Sequence, residues 1–163
     1  MNDRPDLLKR VALGAAGGFV GTLVIQGLLT ASQKWYPRAV PPLRQDPGEF
    51  MVEKAEEALP GRVREHIPHA VETAGARVLA LGYGLTFGGL YGAVRPRDGS
   101  PLMDGLALGV VTWAAGYLGW LPAVGLMPPV WRQERPQALA PVAEHVAYGV
   151  TAVAAYDWLR EHV

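Results

Sequence analysis

Two pairs of ionisable residues stand where apolar segments begin, a place where polar side chains are uncommon. Glu144 and His145 open the apolar stretch 139–159, and His66 and His69 precede another one in "REHIPHAVE". Three imidazoles with carboxylates nearby form a ligand set that suits zinc, copper or non-haem iron. The metal-site hypothesis therefore takes three histidines as ligands: His66, His69 and His145.

A structural interpretation of the same residues stands beside the metal hypothesis. The interval from His66 to His69 crosses Pro68, which breaks a simple helical pair, and it matches no established metal signature. Glu144 follows Pro141, which we expect in the first turn of a helix. There the helix dipole favours a carboxylate, and headgroup water can still reach it.

Two further polar residues complete the candidate cluster. Glu72 and Arg77 lie at the start of the apolar segment 73–94. If the apolar segments cross a membrane, this start lies on the same side as Glu144. Arg77 can extend its charge towards that side, or pair with Glu72 or Glu144. The predicted polar cluster is His145, Glu144, His66, His69, Glu72 and Arg77.

The composition excludes several classes of protein. Lys+Arg and Asp+Glu balance at 15 each, without a basic block, so nucleic-acid binding has no electrostatic basis. The absence of cysteine excludes disulfides, thiolate zinc sites and cysteine nucleophiles. The sequence offers no nucleophile–base pair, so it favours a protein that is not an enzyme, and no catalytic residue is assigned.

Four apolar segments are long enough to cross a bilayer as helices, which takes about 20 mostly apolar residues. They cover residues 11–31, 73–94, 101–126 and 139–159. A chain of 163 residues cannot bury four such helices on every face, which disfavours a soluble bundle. The sequence predicts an all-α membrane protein: one transmembrane domain over 1–163, with four transmembrane helices in an up-down bundle.

Small residues recur at a spacing of four in the predicted spans, which gives each helix a smooth stripe. In lipid, helices associate through close packing, and glycine lets two backbones approach. The pattern favours packing within the chain, with a homodimer face as the alternative. The predicted helix-packing residues are Gly14, Gly18, Gly84, Gly88 and Gly92.

The extramembrane loop, residues 32–72, contains one predicted helix, "DPGEFMVEKAEEALPG". Asp46 can cap it, Pro47 suits its first position, and Pro60-Gly61 ends it. Apolar residues fall near one side and charges on the other. This pattern predicts a short amphipathic surface helix on the membrane or on the ends of the spans.

Charges near the ends of the spans bear on orientation. An even number of spans places both termini on one side, and Lys9 and Arg10 before the first span favour the cytoplasm. Asp104, which follows Arg95 at that face, is interpreted as an interfacial residue at the start of a helix.

A proline-rich turn and a helix with a histidine follow the third apolar segment. The turn is "LPAVGLMPPVW", the helix ends in "YDWLR", and "PPLRQDPGEFM" lies in the first loop. Together these segments resemble the YagU-like inner-membrane proteins of bacteria, a domain family of unknown function. The resemblance implies a bacterial inner membrane, supplies no chemistry, and has no counterpart for Glu144. The matching residues are Pro122, Gly125, Leu126, Pro128, Pro129, Val130 and His145.

These features predict a multi-pass inner-membrane protein that acts as a non-enzymatic packing or assembly component. One alternative is a metal- or cofactor-binding membrane protein that uses the His/Glu cluster at the first-loop face. Another is a small channel or transporter with a water path along Glu144, Arg77 and Gln26. No cofactor is assigned beyond the metal ion that the histidines could hold. The expected partners are the lipid bilayer and either further copies of the chain or a membrane-protein complex, and not nucleic acid.

Overall fold

The computed structural model describes residues 4–57, 69–95 and 99–163, and for residues 4, 5 and 69–73 it describes the backbone alone. These residues form helices and turns without a strand, which confirms the predicted all-α class. The helices are α1 (Arg4–Trp35), α2 (Pro47–Glu57), α3 (His69–Val94), α4 (Pro101–Ala123) and α5 (Arg135–His162), with single 3₁₀ turns at Pro37–Ala39 and Val130–Arg132.

Three of the described helices are long and apolar enough to cross a membrane: Asp6–Trp35 within α1, α4 and α5. Three of the four predicted spans therefore correspond to helices of suitable length and composition. α3, which the sequence also predicts to span, has the length but is not among these three helices.

Helix α1 packs between α3 and α5, and α5 packs in turn against α4. Neighbouring helices run antiparallel, since Gly14 of α1 lies against Gly92 of α3, whereas Gly18 lies against Gly84. α3 and α4 form the fourth side of the bundle and meet mainly through side chains. There the Tyr83 hydroxyl donates to the Thr112 carbonyl oxygen at 3.0 Å.

The predicted packing glycines lie between α1 and α3 of the same chain. A Cβ atom on Gly14 would lie 3.0 Å from the Cα of Gly92, and one on Gly18 would lie 3.1 Å from the Cα of Gly88. Contacts this short with backbone atoms leave no room for any side chain. Ala80, which continues the same spacing along α3, is exposed.

Glycines also bring α4 and α5 together. A Cβ atom on Gly105 would lie 2.7 Å from the Cα of Val150, and one on Gly109 would lie 2.6 Å from the Cα of Val146. α4 then widens into a π-helical segment over Ala114–Trp120. Such wide turns are frequent at functional sites and bend the helix.

The end of α4 is set by a glycine. Gly125 has a positive φ of 78°, and the amide of Leu126 donates to the Leu121 carbonyl oxygen at 3.0 Å. This is a Schellman motif, which glycine favours because it has no Cβ atom. The helix therefore ends at Ala123. The side chain of Leu126 packs in a buried cluster with Tyr117, Leu121 and Met127, next to Leu43 of the first loop.

Helix α2 begins as predicted. The Asp46 carboxylate accepts hydrogen bonds from the amides of Gly48 at 2.8 Å and Glu49 at 3.1 Å. Gly48 packs directly on Ala76 of α3, and Phe50 joins the cluster around Leu126. The helix thus rests on the ends of the long helices, while its predicted end at residues 60–61 lies outside the described residues.

Candidate functional site

The bundle has a polar cluster at each end, and the first lies at the first-loop face. Glu144 is only 6% exposed, and the Ser32 hydroxyl donates to its Oε1 at 2.7 Å. The expectation that Pro141 lies in the first turn is wrong, because α5 already begins at Arg135. Glu144 therefore lies in the third turn, too deep for the N-terminal dipole, and a hydroxyl from α1 is its described partner.

His145 faces α4. Its Nδ1 donates to the carbonyl oxygen of Pro141 at 2.7 Å, which leaves Nε2 as the nitrogen for any further partner. Its ring meets Tyr117 edge-on, with the centroids 5.5 Å apart. The described hydrogen bonds of Glu144 and His145 thus go to different partners.

The remaining members of the predicted cluster are not brought to this pair within the described part of the chain. His66 lies outside the described residues, and for His69 and Glu72 the backbone alone is described, in the first turns of α3. Arg77 is exposed. Among the described side chains no three metal-ligating groups come together, so the metal site stays a prediction.

The predicted water path has no counterpart in the described side-chain contacts. Gln26 and Arg77 are both exposed, whereas Glu144 is buried against Ser32. In residues 4–57, 69–95 and 99–163, no hydrogen bond or ion pair joins any two of these three polar side chains.

The second cluster lies at the opposite end, where α1 begins and α3 and α5 end. Arg95, just past α3, is 8% exposed and forms an ion pair with Asp157 of α5, in which Nη2 lies 3.1 Å from Oδ2. Its Nε lies 3.9 Å from Asp104 of α4. The guanidinium also lies over the Tyr156 ring, 5.3 Å from its centroid. One buried cation therefore ties three helices together.

Two more cations of α1 complete this end. Arg10 donates through Nη2 to the carbonyl oxygens of Ala93 at 3.0 Å and of Arg95 at 3.1 Å, which satisfies the open end of α3. Lys9 donates through Nζ to the main-chain oxygen of Val163 at 3.1 Å. The start of α1 and the end of α5 are thus in direct contact.

A cavity of about 260 Å³ opens between these side chains. Cations from α1, the end of α3 and α5 line it, together with one carboxylate and two less polar residues. The lining residues are Asp6, Lys9, Arg10, Leu13, Arg95, Tyr156 and Arg160.

No protein-family model, curated protein or solved structure matches the chain. Function therefore has to be inferred from the residues themselves, and the resemblance to the YagU-like proteins stays a prediction.

Sequence reasoning missed the Arg95 cluster. The prediction places Asp104 near Arg95 as an interfacial residue, but it does not anticipate the ion pair of Arg95 with Asp157 or the hydrogen bond that Asp104 accepts from the Tyr91 hydroxyl at 3.2 Å. A signal was present, because Arg95 follows one apolar segment and Asp157 lies near the end of another, at the same predicted face.

Proposed function

We propose that the chain is a four-span protein of the bacterial inner membrane, with cytoplasmic termini, that acts as a non-enzymatic packing or assembly component. The observation that carries this proposal is the distribution of side chains on the bundle. Thr22, Thr112 and Glu144 are buried inside the bundle, while large apolar side chains cover the outside of the long helices. Exposed examples are Phe19, Leu23, Val78, Leu90, Val111, Leu118, Leu139 and Trp158.

The position of α3 in the bundle supports a fourth span. Its C-terminal end meets Arg10 of α1 and Asp157 of α5, whereas Ala76 near its start meets Gly48 of α2 at the opposite end. The helix therefore runs the full length of its neighbours. If α1, α4 and α5 cross a bilayer, α3 crosses with them.

Association with other membrane proteins has to use the outer surface of the bundle. The glycines that bring α1, α3, α4 and α5 together are already used inside the chain. In lipid, any further association depends on packing at the outer surface, since the hydrophobic effect gives no drive between helices there. The helices pack closely against one another inside the chain. The described residues therefore support binding to partners better than chemistry on a substrate.

Labelling of single cysteines tests the four-span topology. The chain has no cysteine, so each introduced thiol reports without background. We expect Ser100→Cys and Glu161→Cys to react with a membrane-impermeant maleimide from one side, and Gln33→Cys and Arg132→Cys from the other. All four positions are exposed.

The comparison of Ser100 with Gln33 decides whether α3 crosses. Reaction of both from the same side would contradict the four-span topology. Inverted vesicles and intact spheroplasts then show which side is the cytoplasm, and reaction of Glu161→Cys in spheroplasts would overturn cytoplasmic termini.

Native mass spectrometry of the protein released from lipid nanodiscs tests the assembly role. We expect a homo-oligomer or a stable complex with another membrane protein, held by packing at the outer surface of the long helices. Crosslinking in intact membranes before extraction controls for dissociation by detergent. A monomer in both measurements would remove the support for this role.

A further inference from the structure

We propose that the cavity at the terminal end of the bundle binds the phosphate group of an anionic ligand, supplied by a phospholipid headgroup of the adjoining leaflet. Its volume of about 260 Å³ lies below that of pockets for drug-sized molecules, which begin at about 300 Å³. The cavity therefore suits a headgroup and not a whole lipid.

The charge of the lining selects an anion. Four cations, Lys9, Arg10, Arg95 and Arg160, face a single lining carboxylate, Asp6. Asp104 and Asp157 lie behind Arg95 and compensate part of this charge. Among the described side chains the four cations outnumber these three carboxylates by one, and the guanidinium of Arg10 has only carbonyl oxygens as hydrogen-bond partners.

Arg10 is held in place without a carboxylate. Within the described residues its two hydrogen bonds go to the backbone carbonyl oxygens of Ala93 and Arg95, whereas Lys9 donates to the main-chain oxygen of Val163. Both bonds of Arg10 use Nη2, so Nη1 and Nε remain available to a ligand. A guanidinium presents such donors in a fork that matches two oxygens of a phosphate.

The surroundings of the cavity favour lipid over free phosphate. Leu8, next to Lys9, is 71% exposed, and Leu13 forms part of the wall, so apolar surface borders the cations. Basic pockets between transmembrane helices are known to bind lipid headgroups, and anionic lipids are enriched in the cytoplasmic leaflet. The proposal that a lipid supplies the phosphate group rests on the proposed membrane topology. The proposed affinity of the cavity for a phosphate group does not.

Retention of lipid by the full chain tests the site. Native mass spectrometry compares phosphatidylglycerol with phosphatidylcholine of the same acyl chains, and inorganic phosphate is tested separately by thermal shift in micelles. Lys9→Gln/Arg160→Gln removes two exposed cations of the cavity, and Lys34→Gln/Arg38→Gln removes two exposed cations at the opposite end.

We expect the wild type and the opposite-end control to prefer phosphatidylglycerol, and the cavity variant to retain about tenfold less of it. A second outcome is that inorganic phosphate stabilises the wild type but not the cavity variant, while the wild type shows no preference for phosphatidylglycerol. This outcome supports the same site with a free anion as its ligand. Equal retention in both variants, or no response of the wild type to either probe, overturns the proposal.

A second variant guards against an effect on folding. Arg10→Lys keeps the charge but loses the guanidinium fork, so we expect a lower preference for phosphatidylglycerol with circular dichroism unchanged. An unaltered preference contradicts the assigned role of Arg10. Failure of the four-span topology would appear in the cysteine labelling and leaves the phosphate measurement valid.

Discussion

Replacing Gly88 by valine is expected to destabilise the bundle by about 3 kcal/mol or more, the upper end of the usual range for overpacking. A Cβ atom at Gly88 would lie 2.7 Å from the Cα of Gly18 and 2.8 Å from its nitrogen, and it would also meet the carbonyl oxygen of Gly14. All three are backbone atoms, so no side chain can move aside. α1 and α3 have to separate, which removes the close packing that holds helices together in lipid.

Gly82→Val is the matched control, because it makes the same change on the same helix. A Cβ atom at Gly82 meets nothing within 4 Å, so we expect a loss below about 0.5 kcal/mol. The free energy of unfolding is measured by SDS titration in micelles, followed by circular dichroism. Equal losses for Gly88→Val and Gly82→Val would show that helix propensity, and not the contact between α1 and α3, sets the stability.

Replacing Asp157 by asparagine is expected to cost about 3–5 kcal/mol, the usual effect of removing one partner of a buried ion pair. The side chains of Arg95 and Asp157 are 6% and 16% exposed, so the guanidinium would remain desolvated without its main counter-charge. Asp104, 3.9 Å from Nε, offsets only part of the lost contact. Thermal unfolding in micelles measures the loss.

Arg160→Gln and a double variant control for this effect. Arg160 lies 3.8 Å from the same carboxylate but is 47% exposed, so its removal should cost less than about 1 kcal/mol. Arg95→Met combined with Asp157→Asn removes both charges and should be more stable than Asp157→Asn alone. If the double variant is the least stable of the three, the ion pair contributes more than the penalty of an unpaired charge.

The sequence by itself determined the features that depend on neighbouring residues. The all-α class follows from apolar segments of membrane length, and the start of α2 follows from Asp46, whose carboxylate caps amides two and three residues further on. Such interactions act over a single turn, so a short stretch of sequence contains both partners. The stripe of Gly84, Gly88 and Gly92 likewise marks a smooth face on one helix.

The tertiary structure alone decided which surfaces meet. Only the assembled bundle pairs Gly88 with Gly18, leaves Ala80 of the same stripe exposed, and joins Arg95 to Asp157 across 62 positions of sequence. Glu144 was expected near a helix end and lies instead against Ser32, because α5 starts earlier than its apolar segment does. The partner of a side chain depends on the direction and spacing of helices that are distant in sequence, and these are set by how closely whole backbones can pack.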